Sequence, residues 1–365
     1  MSEELVALAK RLIGYDTSEP EAVLEAAGFV KGWLEARGIE AASDEIRGLP
    51  VLRAEVGPEG APTVVLHGHL DVVPGLPGQF EPRLEGDRLY GRGAYDMKGA
   101  LAAMLLTTAG MQGQDGVRVR LGIVGDEESE EEAERGSDHL VDSGFVGDFA
   151  ITGEPTDLQI GVEAKGVLAL RLEVGGVAAH GATPWLGDNA VLKAADVFRS
   201  IESLPFARHS SELFDRPSIN LGRILGGDAL NKVPDRCAID VDIRYLPDQD
   251  PAAILEQVRG IPDAAGVTQL FTRPPAVVDR ELPFVRALRR AARSHHDGEP
   301  TSVGRDGASD AVSFLRVGVP AVEFGPLGEG HHGPAEWVSV SSLEAYRQTL
   351  DSFLRSLGSR GGLDD

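Results

Sequence analysis

Cysteine is almost missing: Cys237 is the only one. No intramolecular disulfide can form, and any zinc site must be built from His, Asp and Glu. Basic residues are short as well. Lys and Arg total 35 against 58 Asp and Glu, a formal net charge of −23. Nucleic acid and anionic membrane surfaces both require positive patches, so neither is an expected partner. Aromatic residues make up 5%, so aliphatic packing has to dominate the core. No apolar run approaches the ~18 residues that span a bilayer. The opening stretch, MSEELVALAKRLIGYDTSEPE, lacks the basic start and long apolar core of a secretory signal. A soluble cytoplasmic protein is the expectation. What is present is an ordinary globular composition, 42% hydrophobic over 365 residues, which is enough for two domains.

Helical periodicity covers 2–14 and 20–37, with Ser18 as a candidate N-cap and Gly38 as a stop. Strand-like runs follow at 50–56 and 63–73, and residues 97–112 (MKGALAAMLLTTAGMQ) are apolar on nearly every face, as in a buried helix. VRVRLGIVGDEES and FAITGEPT each read as a strand ending in acid, with a helix near 134–143 between them. Strands alternating with helices predict an α/β unit with a mostly parallel mixed sheet and helices on both faces. The pattern changes after about Lys165. GVLALRLEVGG, a helix at 189–204, SINLGRILGG, RCAIDVDIRYLP and a helix at 251–259 predict a β-α-β-β-α-β layer with one solvated sheet face. From Leu282 the α/β character returns, with helices at 282–296 and 341–357 around the strand PAVEFGP. The tail GSRGGLDD reads as frayed. The expected organisation is a catalytic domain in two parts, 1–165 and 276–365, interrupted by an inserted domain at 166–275.

In VVLHGHLDVVP, residues 64–74, His67, His69 and Asp71 share the parity of one strand face where a core strand would carry valines. Further polar residues stand at other strand ends and loops: Asp96 in GRGAYDMKGA, Glu127 and Glu128 in GDEES, Glu154 in TGEPT, and His332 in GHHGPAEWV. Each alone has an ordinary explanation. A lone Asp in a glycine-rich loop is usually a turn residue, and the acidic run 126–134 could be a solvated face. In an α/β sheet, however, such ends converge on one edge. Imidazoles and carboxylates gathered there are the donors that divalent metals take when thiolates are absent.

These motifs, in this order, resemble the co-catalytic di-zinc family containing acetylornithine deacetylase, succinyl-diaminopimelate desuccinylase, aminoacylase and glutamate carboxypeptidase. HLDVVP, GRGAYDMKG, DEE at 126–128, GEP at 153–155 and HGPAE at 332–336 match its motifs across nearly the whole chain. AAHGATPWLGDNA and GGDALNKVPDRCAIDVDIR match its lid and dimerisation domain. The resemblance implies a zinc-aminopeptidase-like catalytic fold and a ferredoxin-like α+β insert.

It also implies roles. His69 and Glu154 would bind one metal, Glu128 and His332 the other, and Asp96 both, with a cis peptide after Asp96. The ions would be zinc, with cobalt or manganese as alternatives. Asp71 would orient the His69 imidazole. His67 would be satisfied by other partners, and His331 is the rival of His332. A metal-bridging hydroxide would be the nucleophile and Glu127 the general base and acid. His180 would reach a partner subunit's active site, while Asn231 and Arg244 would contact the substrate. The implied activity is hydrolysis of an N-acyl amino acid by a homodimer, or of a short peptide by an exopeptidase with the same centre. One departure stands out: the desuccinylases usually read Gly-Gly-Thr-Ser-Asp where this chain has DGASD at 306–310, with Ala308 in place of the Thr.

Overall fold

The computed structural model describes residues 3–129, 135–296, 298 and 300–358. Residues 130–134 of the acidic run and most of the tail, 359–365, lie outside the described residues. The chain divides into two units: 1–162 with 278–303 and 310–365, and 163–277 with 304–309.

The first unit is built on a sheet whose strands run in the order Ala41–Ile46, Leu49–Val56, Arg118–Val124, Thr63–His69, Phe149–Thr152, Ala321–Glu323 and Ile160–Ala164. Its centre is parallel: Thr63–His69 lies between Arg118–Val124 and Phe149–Thr152, and Phe149–Thr152 also pairs with Ala321–Glu323. Outer pairings are antiparallel, as between Leu49–Val56 and Arg118–Val124. Val64, Val65 and Leu66 are completely buried, as a central strand covered on both faces requires. The Ala- and Leu-rich helix Gly99–Gly110 packs against the C-terminal helix Val340–Leu357. Gly99 permits the preceding turn to close, because a Cβ there would lie 2.4 Å from the Ala94 carbonyl oxygen. Tyr346, Leu350, Phe353 and Leu354 are fully buried, and large apolar side chains of this kind contribute ~1.5–3 kcal/mol each when removed from water.

Some local expectations are corrected. The strand expected at 63–73 ends at His69, so Asp71 lies in the loop beyond it. Helix Pro20–Glu35 is preceded by Glu19 as N-cap, not Ser18; the Ser18 hydroxyl is turned onto Asp16 instead. A small antiparallel sheet of Gly328–Glu329, Trp337–Ser339, Arg88–Tyr90 and Arg83–Glu85 was not expected. It joins the glycine-rich GRG segment to the chain that follows His331 and His332.

The second unit has the expected β-α-β-β-α-β order. Its antiparallel sheet runs Ser218–Gly226, Arg236–Tyr245, Gly166–Gly175, Ala264–Arg273. Leu168, Leu170, Leu172, Ile239, Val241 and Ile243 pack with residues of the helices Ala190–Glu202 and Pro251–Arg259. The opposite parity is charged: Arg171 grips Asp240 through Nε at 2.7 Å and Nη2 at 2.8 Å. Among the described residues, no helix is long and apolar enough to cross a membrane.

Candidate metal centre

His69, the last residue of its strand, is completely buried. Its Nδ1 lies 2.9 Å from the Asp71 carbonyl oxygen and 3.5 Å from Asp71 Oδ1. That contact assigns the proton to Nδ1 and turns the other ring nitrogen inward. Nε2 then faces two carboxylates, Asp96 Oδ1 at 3.1 Å and Glu154 Oε1 at 3.7 Å. A nitrogen lone pair opposite two carboxylates is repulsive unless a proton or a cation lies between them.

Asp96 is 5% exposed, and its second oxygen serves a second group. Oδ2 is 2.5 Å from His331 Nε2 and 3.3 Å from His332 Nε2. His332 Nε2 is also 2.9 Å from Glu128 Oε1. Two sets of donor atoms, His69 with Asp96 and Glu154, and Asp96 with His331 and His332, each lie within 4.8 Å of one another. The Asp96–Met97 peptide bond is cis.

The electrostatics of the cluster follow from burial and from the close approach of imidazoles and carboxylates. Burial alone would depress His69, but bonds to Asp71 and Asp96 and the charge of Glu154 lift it well above the usual imidazole range. Asp96 and Glu128 push His332 up to about 10. Burial, then the charge of Asp96, raises Glu154 well above the carboxylate range. For Glu127, burial and then the charge of Asp310 raise the carboxyl to about 8. Imidazole nitrogens and carboxylate oxygens converging within 4.8 Å of one another in each group are donors that fit divalent ions.

The backbone around the cluster is tied down. Asp71 Oδ2 accepts the Glu128 N–H at 2.7 Å. Arg92 and Glu336, to which no role was given from sequence, form a buried pair at 2.7 Å. Glu336 Oε1 accepts the Tyr95 and Asp96 N–H groups, and Arg92 Nη2 donates to the His332 carbonyl. The only hint in the sequence was charge in tight, glycine-flanked segments, GRG and HGPAE.

His67 belongs to neither donor group among the described residues. Its Nε2 lies 3.0 Å from Ser137 Oγ, its ring meets Phe314 edge-on, and burial pulls its pKa down to about 4. His331 is closer to Asp96 than His332 is, so the sequence rivalry persists in the structure. In the second unit, His180 is exposed, its backbone pairs with that of Lys232 in an isolated antiparallel β-bridge, and the Gly181 N–H donates to the Asn231 carbonyl at 2.7 Å. Two candidates 51 positions apart are thus adjacent in space. Arg244 is half-buried and spends Nε on Asp242 at 2.9 Å.

Comparison with known proteins decides the family. The description of peptidase family M20/M25/M40 matches residues 65–356. The chain belongs to peptidase family M20/M25/M40. It is therefore a metal-dependent hydrolase, and divalent ions belong to its chemistry. Among relatives of this M20 chain, a succinyl-diaminopimelate desuccinylase of Erythrobacter litoralis is 32% identical, covering 92% of this chain and 94% of its own. A putative succinyl-diaminopimelate desuccinylase of Mycobacterium tuberculosis is 32% identical over 80% and 82% of the two chains. The fold is shared with an M20 metallo-carboxypeptidase of Sulfolobus solfataricus, with a TM-score of 0.80, 21% identity and coverage of 97% and 99%. It is also shared with a tripeptidase of Staphylococcus aureus, with a TM-score of 0.80, 21% identity and coverage of 98% and 99%.

Proposed function

We propose that this M20 hydrolase removes the acyl group from an N-acyl amino acid carrying a free carboxylate. The observation that supports it most is the placement of Asp96, whose Oδ1 faces His69 and whose Oδ2 faces His331 and His332. His69, Asp96 and Glu154 would hold one divalent ion, and Asp96, Glu128 and His332 a second. Zinc is the proposed metal, with cobalt or manganese as alternatives. When bound, such ions supply Lewis acidity toward an amide oxygen and acidify water.

The chain's own residues do the rest. Among the described residues neither Glu127 nor its neighbour Glu128 is in the two donor groups, but Glu128 reaches His332 Nε2 at 2.9 Å and Glu127 is left for the proton. Its carboxylate takes a proton from the attacking water and delivers it to the leaving nitrogen. Asp71 keeps His69 in one orientation and holds the Glu128 amide. His180 and Asn231, adjacent in the second unit, are assigned to the substrate carbonyl and its surroundings. Arg244 is assigned to the substrate carboxylate, which a guanidinium can bind through paired N–H groups.

The catalytic domain is assigned to 1–165 and 276–365, and 166–275 to a lid and dimerisation domain. A homodimer through the latter is supported by its edge strand Ser218–Gly226, paired on one side only among the described residues, and by exposed Trp185, Leu186, Leu192 and Leu225. The cytoplasm is the proposed compartment, in keeping with a single buried thiol. An exopeptidase is the second reading, because Ala308 stands where the resemblance to desuccinylases calls for Thr.

The test is a panel of N-succinyl and N-acetyl amino acids against di- and tripeptides, before and after chelation and metal return. Acyl amino acids turning over fastest, only with metal, is the expected result. Preference for peptides would favour the second reading, and full activity in verified metal-free protein would refute both.

A further inference from the structure

Asp310 is 2% exposed, and none of the roles assigned so far uses it. A buried carboxylate is retained only where it is paired and hydrogen-bonded. Its Oδ2 accepts the Ser137 hydroxyl, and its Oδ1 lies 3.6 Å from Arg135 Nη1. Ser137 Oγ is in turn 3.0 Å from His67 Nε2. Since the hydroxyl proton goes to Asp310, His67 Nε2 is the donor in the contact with Ser137. Asp310 is thereby linked to the strand that carries His69.

Arg135 links it to the acidic turn. Nη1 donates to the Glu127 carbonyl oxygen at 3.1 Å and Nη2 to that of Ser129 at 3.5 Å. The same Nη1 stays 4.0 Å from Glu127 Oε1. The guanidinium therefore grips the backbone of the turn more closely than the carboxylate it carries. On the other side, Asp71 Oδ2 holds the Glu128 N–H. At the end of the turn, Asp126 Oδ2 accepts the Gly136 N–H at 2.8 Å.

We propose that Asp310 is a positioning residue for Glu127. It fixes Arg135 and Ser137, and Arg135 fixes the backbone from which the Glu127 carboxylate reaches the substrate. This rests on Glu127 as the proton carrier. Three residues distant in sequence, His67, Arg135 and Asp310, then form one support, and the first histidine of HGH, His67, has a purpose other than metal binding. Misplacing a reacting group by about 1 Å can lose on the order of 100-fold in rate.

The experiment is a cycle on the metal-loaded enzyme. Asp310→Asn is expected to lower kcat by roughly 10–100-fold, with KM and metal content unchanged. In a Glu127→Gln background the same substitution should lower kcat less than about twofold, because there is no carboxylate left to position. Arg135→Lys, which keeps the charge but loses the fork, should behave like Asp310→Asn and carries the test if the latter does not fold. Hydrogen exchange on metal-free protein supplies a readout without activity: amides of 127–129 should exchange faster in both variants, with the remaining sheet unaffected. The proposal is overturned if kcat is unchanged, if the loss is equally large in the Glu127→Gln background, or if exchange in the turn does not rise. Should Glu127→Gln itself keep its rate, the proton-carrier reading fails, and the exchange experiment still decides whether Asp310 holds the turn.

Discussion

Replacing Glu336 by Gln removes a buried charge and keeps the shape. The Glu336 side chain is 1% exposed and that of its partner Arg92 4%. One carboxylate oxygen takes the Arg92 Nη1–H at 2.7 Å, and the other takes the N–H groups of Tyr95 at 3.0 Å and Asp96 at 3.2 Å. The Gln carbonyl can keep the two backbone bonds, which points its NH2 group at Arg92. Donor then faces donor, and the guanidinium is left buried without its anion. Losing one partner of a buried ion pair costs about 3–5 kcal/mol, so Glu336→Gln should destabilise the metal-free protein by about 3 kcal/mol. Arg92→Met alone leaves the carboxylate with two amide donors and should cost less. The double variant Arg92→Met/Glu336→Gln removes both charges of the pair and keeps both backbone bonds. It should be more stable than Glu336→Gln alone, by on the order of 2 kcal/mol. Urea unfolding of the four proteins in chelator, followed by circular dichroism, measures this directly. A double variant whose loss equals the sum of the singles within about 0.5 kcal/mol would show no coupling, and the account of the pair would be wrong.

Two further outcomes are expected. His69→Ala should bind one metal ion fewer by elemental analysis, whereas His67→Ala, whose imidazole faces Ser137, should keep the full complement; reversed stoichiometries would overturn the ligand assignment. Mixing His180→Ala with Glu127→Ala subunits under exchange should restore activity if each site takes its His from the other chain, and no recovery with exchange demonstrated would place His180 within its own subunit or outside the reaction.

Much of this was legible in the sequence because it is local. Continuous apolar runs located the central strands of the first unit and period-two alternation those of the second, and the spacing of His69 and Asp71 put both near one strand end. The β-α-β-β-α-β layer was readable because each element is long enough to show a period. The three-residue strands Arg88–Tyr90 and Trp337–Ser339 are not, so the small sheet was missed. The Thr63–His69 strand was read too long because Leu70, Val72 and Val73 continue the apolar run past the last ladder pair. Partnership across the chain left no trace: Arg92 meets Glu336 across 244 positions, and Ser137 meets Asp310 across 173. His67 has the same parity as His69, so spacing alone does not separate them; the family resemblance is what assigns the metal to His69. In the structure His67 meets the buried Ser137 hydroxyl and the Phe314 ring, whereas His69 faces Asp96 and Glu154.

The central claim is that this M20 hydrolase works by proton transfer through Glu127 beside a metal centre that Glu127 does not itself build. The most direct test is turnover and metal content of Glu127→Gln measured on the same preparation. The account predicts that both ions stay bound while kcat falls by ~10²–10⁴-fold, the contribution of a positioned general base. A variant that keeps its metals and turns over within tenfold of the parent would contradict it.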